Sequence, residues 1–317
     1  MALIHRPFCR RGGRRPCDAV DAATPLGHKP DMSQAPLTIV RTVADLRAQV
    51  SAWKAAGDQV ALIPTMGALH DGHLSLVKLG QTHARRTVAS IFVNPKQFAP
   101  HENFNAYPRG EAIDAGKLAS VGCDLLFAPA AGEMYAPGFS TAINVAGVSE
   151  PLEGAARPQF FGGVATVVAK LLIRSQADYA VFGEKDYQQL QVIKRLTLDL
   201  DLPVEIVSAP TARAPDGLAL SSRNAYLSDA ERAVAAALPC ALDAAARAVA
   251  SGGRIDAAEA AGKAALTAAG FGPIDYLDIR DAADLTKLGP GPIGDARGRI
   301  LVAAWLGKTR LIDNIAV

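Results

Sequence analysis

Two histidines three residues apart, His70 and His73, bracket a glycine in the run Pro64-Thr65-Met66-Gly67-Ala68-Leu69-His70-Asp71-Gly72-His73. Imidazole N–H groups can donate hydrogen bonds to phosphate oxygens as negative charge builds. Gly72 has no side chain to block close approach of a ligand. Four further segments carry residues able to do chemistry. Phe182-Gly183-Glu184-Lys185-Asp186-Tyr187-Gln188-Gln189 offers Lys185 as a mobile point charge for phosphates, with Asp186 beside it to orient a ribose hydroxyl or the lysine, or to help hold a metal. Asp216-Gly217-Leu218-Ala219-Leu220-Ser221-Ser222-Arg223-Asn224 sets two hydroxyls next to a guanidinium, a grouping suited to a triphosphate. Phe92-Val93-Asn94-Pro95-Lys96-Gln97-Phe98 offers Gln97 as a neutral donor and acceptor beside an aromatic ring. In Leu152-Glu153-Gly154-Ala155-Ala156-Arg157-Pro158, Arg157 faces either an anion or solvent. Taken singly, each segment also fits a capped turn on a surface.

The elements that must position these residues are legible as alternating patterns. Apolar runs at Val60 to Ile63, Thr87 to Val93, Asp124 to Ala128, Tyr179 to Phe182 and Val204 to Ser208 predict strands. Helical spacing covers Leu74 to Arg86, Ala112 to Ser120, Val164 to Ser175 and Tyr187 to Leu200. Apolar strands separated by helices indicate an α/β unit with a parallel sheet, whose ligands gather at the carboxyl ends of the strands. The His70 to His73 turn then opens a helix, whose N-terminal N–H groups and dipole favour phosphate. After about Pro210 the pattern changes. Helices at Asp229 to Ala250 and Ile255 to Ala268, with strands at Asp275 to Ile279, Ile300 to Trp305 and Leu311 to Ile315, predict a smaller α+β C-terminal domain. Residues 1–35, with Arg10, Arg11, Arg14 and Arg15 among Gly and Pro, read as a disordered extension; 36–210 and 211–317 are the two expected domains.

Composition excludes other classes. Thirty-three Lys and Arg balance 31 Asp and Glu, and the net charge of +2 argues against a protein that coats nucleic acid or an anionic membrane. No apolar run reaches the roughly 18–20 residues of a membrane span. The four cysteines form no Cys-x-x-Cys pair and fit a reduced, cytoplasmic setting, with Cys123 and Cys240 as small apolar residues. None of the six histidines lies beyond His101, and no Gly-x-Ser-x-Gly elbow or Walker-type loop is present.

Four motifs in register, at residues 64–73, 92–98, 182–190 and 216–224, resemble the pantoate–β-alanine ligase family of the nucleotidyltransferase-like superfamily with a His-x-Gly-His signature. The likeness runs from about residue 37 to the C-terminus. The resemblance implies a Rossmann-like N-terminal domain, a C-terminal domain acting as a lid, a homodimer, and ATP used with Mg²⁺. It implies condensation of pantoate with β-alanine to give pantothenate, AMP and pyrophosphate through a pantoyl adenylate. Position by position, Met66, Gly67, Ala68, Leu69, His70, Asp71, Gly72, His73, Gly183, Glu184, Lys185, Asp186, Ala212, Leu220, Ser221, Ser222 and Arg223 match the ATP site. Gln97 and Gln189 match the pantoate site, with Gln97 also near β-alanine, and His73 matches a proposed proton donor. His70, His73, Lys185 and Arg223 are the catalytic candidates, and no Mg²⁺ ligand is assigned. The chain departs from the family where Arg-Pro-Gly-His-Phe is frequent: here it reads Arg157-Pro158-Gln159-Phe160-Phe161, so a role for that histidine does not transfer to Phe160.

With no enzyme nucleophile needed, catalysis would rest on positioning and charge stabilisation. The expected site is a cationic cradle around a triphosphate, with an uncharged, glutamine-lined pocket beside it. Two other functions share some of these motifs. An adenylyltransferase acting on a phosphorylated acceptor would need further cations where Gln97 and Gln189 stand. A non-catalytic ATP sensor would not need the full set of His70, His73, Lys185 and Arg223.

Overall fold

The computed structural model describes residues 37–98, 104 and 110–317. The expectations for residues 1–35, and His101, lie outside them. The chain opens with β1 (Thr38–Val40) and α1 (Val43–Ala55), then runs β2 (Val60–Thr65), α2 (Asp71–His83), β3 (Arg86–Ile91), α3 (Glu111–Ser120) and β4 (Leu125–Phe127). Short helices α4 (Ala131–Met134) and α5 (Glu153–Ala156) lead to α6 (Phe160–Ser175), β5 (Tyr179–Gly183), α7 (Tyr187–Asp199) and β6 (Glu205–Ala209). These six strands form one parallel sheet in the order β1-β4-β3-β2-β5-β6. Val60, Leu62, Val88, Leu125 and Phe127 pack with α6 in one apolar cluster, while Ile63, Ala89, Leu126 and Val181 pack in another with Leu76 and Val77 of α2. Burial on both faces is what makes the strands apolar throughout.

β3 lies on one side of β2 and β5 on the other, so strand order reverses between β2 and β5. A crevice opens outside the carboxyl ends of strands at such a switch point. β2 ends at Thr65, just before the histidine turn, and β5 ends at Gly183, just before Lys185.

The C-terminal third holds α8 (Asp229–Ala235), α9 (Ala237–Ala250) and α10 (Ile255–Ala268), and a separate antiparallel sheet, β7 (Ile274–Asp281), β8 (Gly298–Leu306) and β9 (Thr309–Ala316), in the order β7-β8-β9. Leu242, Val249, Leu266, Ile300, Val302 and Leu311 form the core between these helices and one face of the sheet. From the opposite side, Leu301 joins the core of the parallel unit.

Several expectations shift. The helix after β2 runs 71–83 rather than 74–86, because the His70 ring accepts from Gly72 N–H and starts the helix inside the motif. The segment expected as one helix over 229–250 breaks at Ala236, since Pro239 has no N–H for the Ala235 carbonyl. β1 and α1 were not anticipated, although Thr42 capping Asp45 N–H is a readable helix start. Cys123 is buried as expected, but Cys240 is exposed on α9.

Candidate active site

The crevice at the switch point is a cavity of about 1120 Å³. That exceeds the several hundred Å³ typical of a single ligand pocket. Met66, His70, Gly72, His73, Gln97, Gly183, Lys185, Asp186, Gln189, Ala212, Leu220, Ser221, Ser222 and Arg223 all line it. Residues from four distant parts of the chain thus meet at one surface. Gly67, Ala68, Leu69, Asp71 and Glu184, also matched to the ATP site, are not among the lining residues.

Gly67, Ala68 and Leu69 shape the turn that carries the histidines. Gly67 and Ala68 have positive φ of 85° and 50°. The buried Asp114 carboxylate on α3 accepts from Ala68 N–H at 2.8 Å and Leu69 N–H at 2.9 Å. One helical turn further on, Lys117 donates to the Leu69 carbonyl at 2.6 Å. α3 therefore grips this turn from outside the cavity.

Each histidine spends its Nδ1 on the backbone. His70 Nδ1 accepts from Gly72 N–H at 3.2 Å, and His73 Nδ1 accepts from His70 N–H at 3.3 Å. This pattern assigns the neutral tautomer with the proton on Nε2 to both rings. Their centroids are 4.1 Å apart. Burial lowers the His73 pKa from 6.5 to about 3, helped by His70, Lys185 and Lys117 and opposed by Asp186. The His70 pKa is also lowered, by burial first and by Lys185 next. The charge of Lys185 thus acts on both imidazoles. A Cβ on Gly72 would sit 2.9 Å from the His70 ring, so this packing requires glycine there.

Lys185 and Asp186 follow β5 in a single 3-10 turn, Glu184–Asp186, with Lys185 Nζ 3.7 Å from Asp186 Oδ1. Glu184 turns away to pair with Arg299 of β8 at 3.1 Å. Ser221 caps the next 3-10 turn, Ser222–Tyr226, by accepting from Arg223 N–H. Thr211 also lines the cavity, and its buried hydroxyl has no hydrogen-bond partner among the described residues. Sequence patterning missed Thr211, which stands outside every motif.

Gln97 is held by contacts the sequence did not reveal. Its Oε1 accepts from the Asn94 amide at 3.1 Å and its Nε2 donates to Met66 Sδ at 2.9 Å. Asn94 is 1% exposed; it also donates to the Gly163 carbonyl at 3.0 Å and accepts from the Tyr135 hydroxyl at 2.8 Å. The wall here is not uncharged, contrary to expectation. Arg157 donates to the Gln97 carbonyl at 3.3 Å, stacks 4.0 Å over the Phe160 ring, and lies 3.9 Å from Glu153. Glu153, Arg157 and Phe160 all line the cavity. The charge is present in ion pairs, Glu153 lying 2.6 Å from Arg310 as well, because a buried carboxylate is tolerated only beside a cation. Phe160, in the family's frequent histidine position, serves as the platform for Arg157.

Comparisons with known proteins find matches along most of the chain. A family model described as pantoate-beta-alanine ligase matches residues 38–316. The pantothenate synthetase of Caulobacter vibrioides is 75% identical over 279 residues, covering 88% of this chain and 98% of that protein. That of Rhodospirillum rubrum is 58% identical over 281 residues, covering 89% and 99%. The crystal structure of pantothenate synthetase from Thermus thermophilus superposes with a TM-score of 0.81 at 46% identity, covering 88% of this chain and 99% of that one. The Francisella tularensis pantoate-beta-alanine ligase, complexed with beta-gamma ATP and beta-alanine, gives a TM-score of 0.73 at 31% identity, covering 88% and 97%.

Proposed function

The chain belongs to the pantoate–β-alanine ligase family, and from that premise we propose how its own residues carry out the ligation. It is a ligase that forms the amide bond between pantoate and β-alanine. The reaction proceeds in two steps. A pantoate carboxylate oxygen attacks the α-phosphorus of ATP; that O–P bond forms as the bond to the β-phosphate oxygen breaks, and pyrophosphate leaves. The amine of β-alanine then attacks the acyl carbon of the pantoyl adenylate, loses a proton, and displaces AMP.

The observation that carries this reading is the meeting of His70, His73, Lys185, Ser221, Ser222 and Arg223 around one cavity at the switch point. Neutral His70 and His73 donate through Nε2–H, while Lys185 and Arg223 supply fixed charge to the leaving pyrophosphate. With its Nδ1 already accepting, His73 is a hydrogen-bond donor rather than a source of protons. Gln97 and Gln189 hold the pantoate hydroxyls and carboxylate without the full charge that would weaken the nucleophile. Glu153 is shared by Arg157 and Arg310, and Arg310 also pairs with Asp275, so the four charges together are close to neutral.

Mg²⁺ accompanies ATP in this reading. No cluster of three His, Cys, Asp or Glu suited to a metal occurs among the described residues. Asp186, which lines the cavity beside Lys185, is the carboxylate that would hold an ion brought in on the phosphates. When bound, Mg²⁺ supplies charge neutralisation at the phosphate oxygens. We further place residues 36–210 as the ATP- and pantoate-binding domain, 211–317 as a lid, and the working unit as a cytoplasmic homodimer.

Incubation with ATP, pantoate carrying ¹⁸O in its carboxylate, and β-alanine tests the scheme. Pantothenate and AMP should form together only when all three are present, with one ¹⁸O in AMP. Label in inorganic phosphate would mean an acyl phosphate instead, and AMP formed without pantoate would mean another substrate.

A further inference from the structure

Two adjacent residues of β9, Asp313 and Asn314, are each 2% exposed although both carry polar side chains. Successive side chains on a strand point to opposite faces, and these two reach different loops of the cavity. The Asn314 amide donates both hydrogens to the Lys185 turn: to the Glu184 carbonyl at 2.9 Å and the Lys185 carbonyl at 2.8 Å. Its Oδ1 is fixed in turn by Arg299 Nε at 2.7 Å. Arg299 adds a hydrogen bond from Nη2 to Glu184 Oε2 at 3.1 Å, and its guanidinium stacks 4.1 Å over the Tyr187 ring. Asp313 receives a two-pronged contact from Arg213, at 2.7 and 3.0 Å. Arg213 also donates to the Gly217 carbonyl at 2.9 Å and bridges to Ala219, at the base of the loop that presents Ser221, Ser222 and Arg223.

We propose that Asp313 and Asn314 are positioning residues for the two cationic loops of the site, Asn314 setting Lys185 and Asp313 setting Arg223. The proposal rests on the function given above. Lys185 comes from the parallel unit and Arg223 from the segment beyond it, so nothing within either loop fixes one charge relative to the other. A single rigid strand that holds both does. Asparagine suits the Lys185 side because it offers two N–H donors to two carbonyls, where aspartate would repel both. Aspartate suits the other side because it matches the guanidinium fork.

Double-mutant cycles on single-turnover pyrophosphate release, with ATP and pantoate, separate positioning from general structural support. Asn314→Ala should slow release by roughly 10–10²-fold, the scale of a misplaced catalytic group. It should have little further effect in a Lys185→Ala background, yet multiply with Arg223→Ala. Asp313→Asn should show the reverse pairing. The reaction of β-alanine with preformed adenylate should slow less than pyrophosphate release in Asn314→Ala. Effects that multiply in every background would overturn the proposal, as would equal slowing of both half-reactions. Should Asn314→Ala not fold, Asn314→Ser, which keeps one donor, runs the same cycle with an intermediate rate expected. If the parent enzyme forms no pantothenate, the functional reading fails; if it does and the cycles are uniform, only the positioning proposal fails.

Discussion

Burial keeps the His73 imidazole uncharged down to about pH 3, because an imidazolium there would lose hydration and face Lys185. The unfolded chain protonates the same ring near 6.5. Between these values the unfolded state binds more protons, so this residue lowers stability as pH falls from about 6.5 toward 3. The contribution is about 2 kcal/mol at pH 5 relative to pH 7, from 1.36 kcal/mol per pH unit. His73→Gln keeps a polar side chain and removes the titration. Urea unfolding of this variant should show a smaller loss on acidification from pH 7 to pH 5 than the parent, by about that amount. An equal loss in both proteins would mean that His73 is protonated in the folded state. The residue types of the site were readable from the sequence, but their protonation was not. It depends first on burial, then on His70 and more weakly on Lys185 and Lys117, and the tautomer on a ring–backbone hydrogen bond that only the folded turn creates.

Among the elements, α6 does most to place the Gln97 wall of the cavity, the pantoate pocket in the proposed reaction. It packs against the turn Pro95–Gln97 at Gly163, where a Cβ would lie 2.3 Å from the Lys96 carbonyl oxygen. The Gly163 carbonyl also accepts from Asn94, the residue that orients Gln97. Gly163→Ala must therefore push the Gln97 turn away from α6, at about 1–3 kcal/mol of stability. It should raise KM for pantoate roughly 10-fold or more, with KM for β-alanine free to rise beside it, while KM for ATP changes little, since Gln97 is matched to the two acid substrates and not to ATP. Initial-rate kinetics check this, and equal shifts in the pantoate and ATP KM values would contradict it. Strand ends and their motifs were legible because both come from local patterning: an apolar run, then a polar turn. The supports were not. Asp114 grips Leu69 across 45 residues and Asn314 grips Glu184 across 130, and no local spacing encodes such pairs. The break at Ala236 was available in principle, since Pro239 was visible; the helical periodicity on either side of it concealed the interruption.

At the scale of the molecule, the antiparallel sheet is tied to the parallel unit along the cavity. Tyr276 donates to Glu153 at 2.8 Å, Arg310 lies 2.6 Å from the same carboxylate, and Tyr187 donates to the Ala282 carbonyl at 2.8 Å. Any closure of the C-terminal region over ATP must carry Glu153 and Tyr187 with it or break these contacts. Closure would exclude water from an adenylate that otherwise hydrolyses. Small-angle scattering should give a smaller radius of gyration with ATP plus pantoate than without, and superimposable curves would count against a moving lid. Adenylate formation depends on Lys185 acting on the leaving pyrophosphate, with the histidine turn lining the same cavity. The most direct test of this dependence is pyrophosphate release in a single turnover of ATP and pantoate by the Lys185→Ala variant. A fall of at least roughly 10²–10³-fold is expected, the usual loss for one transition-state charge contact; release near the parent rate would contradict it.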